Sequence, residues 1–485
     1  MSNIFRTLSL ILLLTVLHLN GMTQQSFVFT PLKDDAEKLK AWNDSTDQQY
    51  RKLLSSLSKT YRKDYQSLYE DRYKQLKELA EKNKIITDAA ADNYLQQLVN
   101  AIVSSNPVLK QSGYRVRFSR DYWPNAYCLG EGTIIFNIGL FTKLQNESQV
   151  ASVLCHELAH QHLNHVQRSI DELVTTINSD DFRDELKRIK RSDYLQGQQL
   201  KTLMKGLTFT SRKHGRNHET SADSLALEWL KNTPFNAGGA ISSLALLDNI
   251  DEDKYNVMPD LANVFNFPQY PFRKEWLHQE KTLFATMATS AQKENTKERD
   301  SLKTHPDCTK RIQLLWAKAQ QYSKDNKPLS PVSEETFKRL QQQFDYEIIE
   351  YCYQQNEVSR SMYHTLQMLS KYPQDVYLTA NTARCLNAFY KAQKEHALSK
   401  IVDLPSPFMD EKYEKTLQFI QNVRLNDFAA FSYYLLIAVE SKTPHSELML
   451  QALILSKQHF NKTSEQQHWM EQYKKQYPNG KFTFQ

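Results

Sequence analysis

The stretch Ser152–His165 reads SVLCHELAHQHLNH, and at its centre stands His156-Glu157-Leu158-Ala159-His160. In a helix, residues four apart stack on one face, so the His156 and His160 imidazoles converge on one point. Neutral imidazole is a good zinc ligand, and Glu157 beside them can take a proton from an activated water. The spacing therefore reads as a metal-centred hydrolytic helix beginning near Glu147, with Val150, Val153, Leu154 and Leu158 on its buried side. His162 and His165 lie about 200° and about 140° around that helix from His160, and read as surface or supporting groups rather than ligands.

Downstream, Ser211–Leu230 (SRKHGRNHETSADSLALEWL) puts Glu219 and Asp223 four apart on a second helix. Glu219 would complete a His-His-Glu zinc set, with His214 and His218 as rival ligands. One turn on, Asp223 can hold a ligating imidazole through its distal N–H. Ala222 between the two acids suits close helix–helix approach. Asp180–Lys205 reads as a charged helical insertion between the two halves.

Upstream, Arg115–Ser119 alternates with period two, and Asn125–Leu140 (NAYCLGEGTIIFNIGL) pairs β-formers with Gly130 and Gly132, predicting two or three short strands. The Thr133–Asn137 strand reads as the edge along which an extended chain adds itself. Before them, Asp44–Asn83 reads as one long amphipathic helix and Asp88–Ser105 as another. Pro259–Lys274 and Thr286–Thr304 read as loops over the cleft. They end at His305-Pro306 and Arg311-Ile312, where Arg311 reads as a buried ion-pair partner of the site helices. His305 is placed as a transition-state donor or a fourth zinc ligand that moves aside, or else as a His-Pro turn that opens the next helix.

The ordered set NAYCLG, IIFNIGLF, SVLCHELAHQHLNH, ETSAD and THPDCTKRI over Asn125–Leu315 resembles the zinc metallopeptidases that include the heat-shock protease HtpX and the CAAX prenyl proteases, the gluzincins of peptidase family M48. The resemblance implies His156, His160 and Glu219 as ligands of one Zn²⁺, Glu157 as general base and Asp223 as their supporting group. The chain departs from the family's membrane members in lacking internal apolar spans, and looks more like an exported, soluble branch.

The 485 residues allow several domains, and 24% charged residues with 25 Tyr and 23 Phe suit helical globular structure. A net charge of +6 from nearly balanced acids and bases, without a basic run, argues against nucleic acid. Arg6 and the apolar Leu8–Leu19 read as a signal peptide over residues 1–23, which would place the chain in the periplasm of a bacterium or at a membrane surface. Five scattered cysteines form no disulfide framework, and Cys155 reads as a core residue. The expected organisation is mainly α with a small β-sheet. It comprises an N-terminal helical segment (24–85), a zinc metallopeptidase domain (86–322), a linker (323–333) and an all-helical C-terminal domain (334–485). That last domain reads as tetratricopeptide-like hairpins or a compact bundle. The function expected is a zinc endopeptidase for extended or misfolded proteins. The alternative is an assembly or chaperone-like factor that recruits a protein partner on the C-terminal helices and keeps a latent or regulatory metal site.

Overall fold

A computed structural model describes residues 27–110, 113–191, 196–251, 256–277, 308–404, 409–441, 445–480 and 482. Over 196–214 it describes the helical course, with the side chains of Gln199 and Leu203 alone. The chain divides into two units, Met1–Pro31 and Leu32–Gln485. The signal-peptide reading of residues 1–23 lies outside the described residues.

Two helices, α1 (Ala36–Ser56) and α2 (Arg62–Glu81), stand where the sequence predicts one. Asp35 starts α1 by accepting the Glu37 and Lys38 N–H groups. The chain then turns at Leu57–Tyr61, with Tyr61 left-handed at φ 53°. Arg62 donates back to the Leu54 and Leu57 carbonyls at 3.0 and 2.8 Å, satisfying the end of α1. The apolar period survives this short turn, so periodicity alone does not show the break.

The hairpin lies on one face of a four-stranded sheet made of β1 (Ile85–Ile86), β2 (Arg115–Ser119), β3 (Ala126–Gly130) and β4 (Thr133–Asn137), in the order β1-β2-β4-β3. Between β1 and β2 runs α3 (Ala89–Ser105), capped by Asp88. Period-two alternation sends Ile85, Leu129 and Ile135 toward Trp42, Leu76 and Leu79 of the hairpin. Val116, Phe118, Ile134 and Phe136 face the main core. Strand β4 pairs with β2 in parallel and with β3 antiparallel, and all five of its residues are buried. Hence Thr133–Asn137 is the central strand, and the free edge on that side is β3. The β3–β4 hairpin is closed by Gly130-Glu131-Gly132, all at positive φ. A side chain at Gly132 would meet the Gly113 carbonyl at 2.4 Å.

After a single turn, α4 (Ile138–Phe141), come α5 (Glu147–His162), α6 (His165–Ile177), α7 (Asp180–Lys190), α8 (Gln196–Asn232) and α9 (Gly239–Asp251). Next are α10 (Leu261–Val264), α11 (Cys308–Tyr322) and α12 (Glu334–Gln354). Five of these, α3, α5, α8, α9 and α11, pack with the inner sheet face around one core, which extends into α12 through Phe337, Leu340, Phe344 and Ile348. Ser323–Ser333, expected as a linker, is tied to the start of α5. There the buried Glu147 carboxylate accepts the Val332 and Ser333 N–H groups at 2.6 and 2.7 Å and the Tyr94 hydroxyl at 2.7 Å.

The C-terminal region continues with α13 (Val358–Lys371), α14 (Val376–Lys394), α15 (Glu411–Asn422), α16 (Leu425–Ile437), α17 (Glu447–His459) and α18 (Thr463–Gln476). Helix α14 packs against α13, α16 and α17. Pro259–Lys274 runs against these helices instead of over the cleft. Phe265 stacks on Phe419 at 5.2 Å, and Asp427 accepts from Tyr270, Arg273 and the Trp276 indole. Thr286–Thr304 lies outside the described residues. No helix among the described residues is long and apolar enough to cross a membrane.

Candidate metal centre

Every residue of α5 from Glu147 to Ala159 is buried, so the His-Glu helix is a core element rather than an amphipathic surface one. Polar groups placed there are costly unless each finds a partner. Asn146 caps the helix by accepting the Gln149 N–H. Against it lies α8, whose Ala222 is fully buried and lets the two backbones approach. That contact carries Glu219 and Asp223 over the two histidines.

The His156 and His160 Nε2 atoms are 3.0 Å apart. Glu219 Oε2 lies 3.4 Å from the first and Oε1 lies 3.3 Å from the second. Among the described residues, these three side chains form the one group of ligand atoms gathered within 4.8 Å. Four donors at zinc-ligand distances around a tetrahedral ion are separated by about 3.3 Å, close to the spacing seen here. Two nitrogens and a carboxylate suit zinc. Glu219 turns one oxygen toward each imidazole nitrogen, the arrangement that a shared cation satisfies. The residues present fit a zinc ion.

Behind the triad, His156 Nδ1 sits 2.9 Å from Asp223 Oδ1, in ionic contact but off the line of a hydrogen bond. Arg311 forks onto Asp223 through Nε at 2.6 Å and Nη2 at 2.7 Å, and its Nη1 is 3.1 Å from Glu219. Arg311 is 4% exposed and Asp223 6%, so this is a buried bidentate pair that fixes α11 to α8.

Burial opposes the charged His156 ring, yet Asp223 and Glu219 hold its pKa up at about 10. Burial likewise lifts Glu219, but His156, His160 and Arg311 keep it well below the usual carboxylate range. For Asp223, burial is overcome by Arg311 and His156, and the carboxyl is lowered. Glu157 is the exception. Burial raises its carboxyl, and the histidine charges and a backbone hydrogen bond from Cys128 only partly pull it back. Cys128 lies on the edge strand β3, so the general-base candidate and the free strand edge adjoin.

The structure brings His156, Glu157, His160, Glu219, Asp223 and Arg311 together. His162 packs edge-on against Trp229. His218 stacks on His165, and the side chain of His214 lies outside the described residues, as does His305. His165 is 3% exposed and within 3.1 Å of His160, an arrangement that the helical wheel does not predict. The wheel fails because α5 stops at His162 and Asn164, left-handed at φ 60°, returns the chain toward the site. Asn at such a turn is the available signal. Ser221 and a 790 Å³ cavity beside His160 and Glu219, lined by Val166, Ile170 and Leu173 among others, also went unread. Cys155 is a core residue, its thiol pushed up by burial.

Residues 89–319 match Peptidase family M48. They form a peptidase family M48 domain. The match begins at α3 and ends in α11, enclosing the sheet, the His-Glu helix and the Glu219–Asp223 helix. The chain is also 31% identical over 109 residues to a putative beta-barrel assembly-enhancing protease of Vibrio cholerae serotype O1. That similarity covers 22% of this chain and 22% of the relative, so the chain spans about a fifth of the length of the curated relative it matches. The family is one of metallopeptidases, and its domain here carries the triad described above.

Proposed function

We propose that this chain is an exported zinc-dependent metalloendopeptidase that hydrolyses extended or misfolded proteins. The observation that carries the reading is the focus of three side chains: His156 Nε2 and His160 Nε2 are 3.0 Å apart, Glu219 Oε2 lies 3.4 Å from the first and Glu219 Oε1 lies 3.3 Å from the second. These three residues would hold one zinc ion. When bound, it supplies Lewis acidity that acidifies water and polarises the scissile carbonyl.

The chain's own residues do the rest. Glu157, with its carboxyl raised by burial, accepts a proton from the attacking water and delivers it to the leaving amine. Asp223 orients His156, and Arg311 keeps Asp223 and Glu219 charged and in place. Substrate lies as an added strand along Ala126–Gly130, the free edge beside Glu157, rather than along the central Thr133–Asn137. The cavity next to His160 receives a bulky apolar side chain of that strand against Val166, Ile170 and Leu173. Export rests on the Leu8–Leu19 apolar run, and recruitment of a protein partner or substrate would fall to α13–α18. The test is digestion of casein by the full-length protein. Cleavage should stop with a chelator and return with zinc; cleavage that is indifferent to chelator refutes the reading.

A further inference from the structure

The two histidines of the triad are held from behind by different groups. We propose that His165 is a positioning residue that fixes the ring tautomer of His160 through a proton relay ending on α8. The proposal rests on His160 being a metal ligand through Nε2.

If Nε2 gives its lone pair to a cation, the neutral ring carries its proton on Nδ1. The atom facing that proton is His165 Nδ1, 3.1 Å away. It must accept, which puts the His165 proton on Nε2. That nitrogen is 3.3 Å from the Ser221 hydroxyl oxygen. Ser221 accepts there and turns its own proton to the Asn217 or His218 carbonyl, each at 3.0 Å. Every proton from His160 to the backbone of α8 then has one address. In the reverse assignment His160 would carry its proton on Nε2, the atom aimed at His156 and Glu219, and the site could not close on an ion.

The ring that does this is well anchored. His165 is buried at 3% exposure and stacked on His218 with centroids 4.1 Å apart and planes 11° from parallel. Its two nitrogens are both engaged, so it has no lone pair to offer as a further ligand. Because Ser221 lies between Glu219 and Asp223 on α8, the relay ties the second ligand to the helix that supplies the third. His156 has a carboxylate behind it, Asp223 at 2.9 Å, whereas His160 has a neutral imidazole.

Zinc affinity of the full chain, measured by competition with a chromophoric chelator, tests this. His165→Phe keeps the ring volume and the stacking on His218 but has no acceptor. It should weaken zinc binding about 10- to 100-fold, as should His165→Ala. His165→Gln, which offers a carbonyl oxygen, should stay within about threefold of the unmodified protein. Wild-type affinity in His165→Phe would show that the ring only fills space, and equal losses in Gln and Phe would show that an acceptor is not what His160 needs; either overturns the proposal. Independently of any variant, long-range ¹H–¹⁵N spectra of the zinc-loaded protein should show the His165 proton on Nε2, and finding it on Nδ1 overturns the relay. A wild-type chain that binds no zinc would instead refute the metallopeptidase reading itself.

Discussion

Replacing Arg311 by methionine removes the cation that holds a buried carboxylate, Asp223, beside a half-buried one, Glu219. Its guanidinium makes bonds of 2.6 and 2.7 Å to Asp223 and a 3.1 Å contact to Glu219, all at 4% exposure for the arginine. Methionine fills most of the space, so the loss is electrostatic. Breaking one partner out of a buried pair costs about 3–5 kcal/mol, because the remaining charge is stranded. Here two carboxylates are stranded, and the protein without metal should lie at the upper end of that range. Zinc places positive charge at one of these carboxylates, Glu219, and binds only the folded form, which at 100 times its Kd adds about 2.7 kcal/mol for an unaltered site. In the variant it also relieves the stranded charge, so the deficit relative to wild type should be smaller in zinc than in chelator. The assay is urea unfolding followed by tryptophan fluorescence, with Trp229 on the site helix as reporter, in both conditions. A deficit below about 1 kcal/mol in chelator, or one that grows when zinc is added, refutes the reasoning. Arg311→Lys keeps the charge but not the fork and should fall between the two.

Other perturbations test separate parts of the account. Ala222→Leu inserts volume where α5 and α8 meet and should cost about 1–3 kcal/mol and weaken zinc binding, as unfolding and chelator competition will show; an unchanged affinity would mean that this contact does not place Glu219. Ending the chain at Tyr322 strips Phe337, Leu340 and Phe344 from the core around the site, so the truncated protein should be insoluble, and a soluble monomer by size exclusion would contradict the shared core. His364 is held neutral, its pKa pushed down to about 3 by burial and by the Arg360 and Lys143 charges. The unfolded ring takes up a proton below about pH 6.5 while the folded ring does not, so stability is intact above that pH and is lost as pH falls toward 3. At pH 4.5 the penalty should be on the order of 2 kcal/mol, and His364→Gln should flatten the fall; parallel pH curves would assign the acid sensitivity elsewhere.

Much of this was legible because the signals are local. The His156–His160 spacing, the Glu219–Asp223 spacing and the alternation in Arg115–Ser119 each depend on a few consecutive residues, and the structure builds a helix or strand on each. Pro373, Pro405, Pro407 and Pro444 likewise fall between the C-terminal helices. What sequence did not show depends on contacts between distant residues. Strand order is one case. TIIFN reads equally as an edge or as the centre of a sheet, and pairing with Arg115–Ser119 on one side and Ala126–Gly130 on the other makes it the centre. The polar Ser323–Ser333 has a linker's composition, yet Glu147 holds its backbone. His165 points away from the site only if the helix is extended three residues past its end at His162, where a left-handed Asn164 changes the direction of the chain.

The central claim is that His156, His160 and Glu219 hold a zinc ion beside a Glu157 that moves the protons. Metal analysis joined to a casein digest of wild type and Glu157→Gln tests it most directly. The account predicts one zinc per chain in both proteins and cleavage by wild type alone. A Glu157→Gln protein that cleaves at the wild-type rate, or a wild type that carries no zinc after purification in its presence, would contradict it.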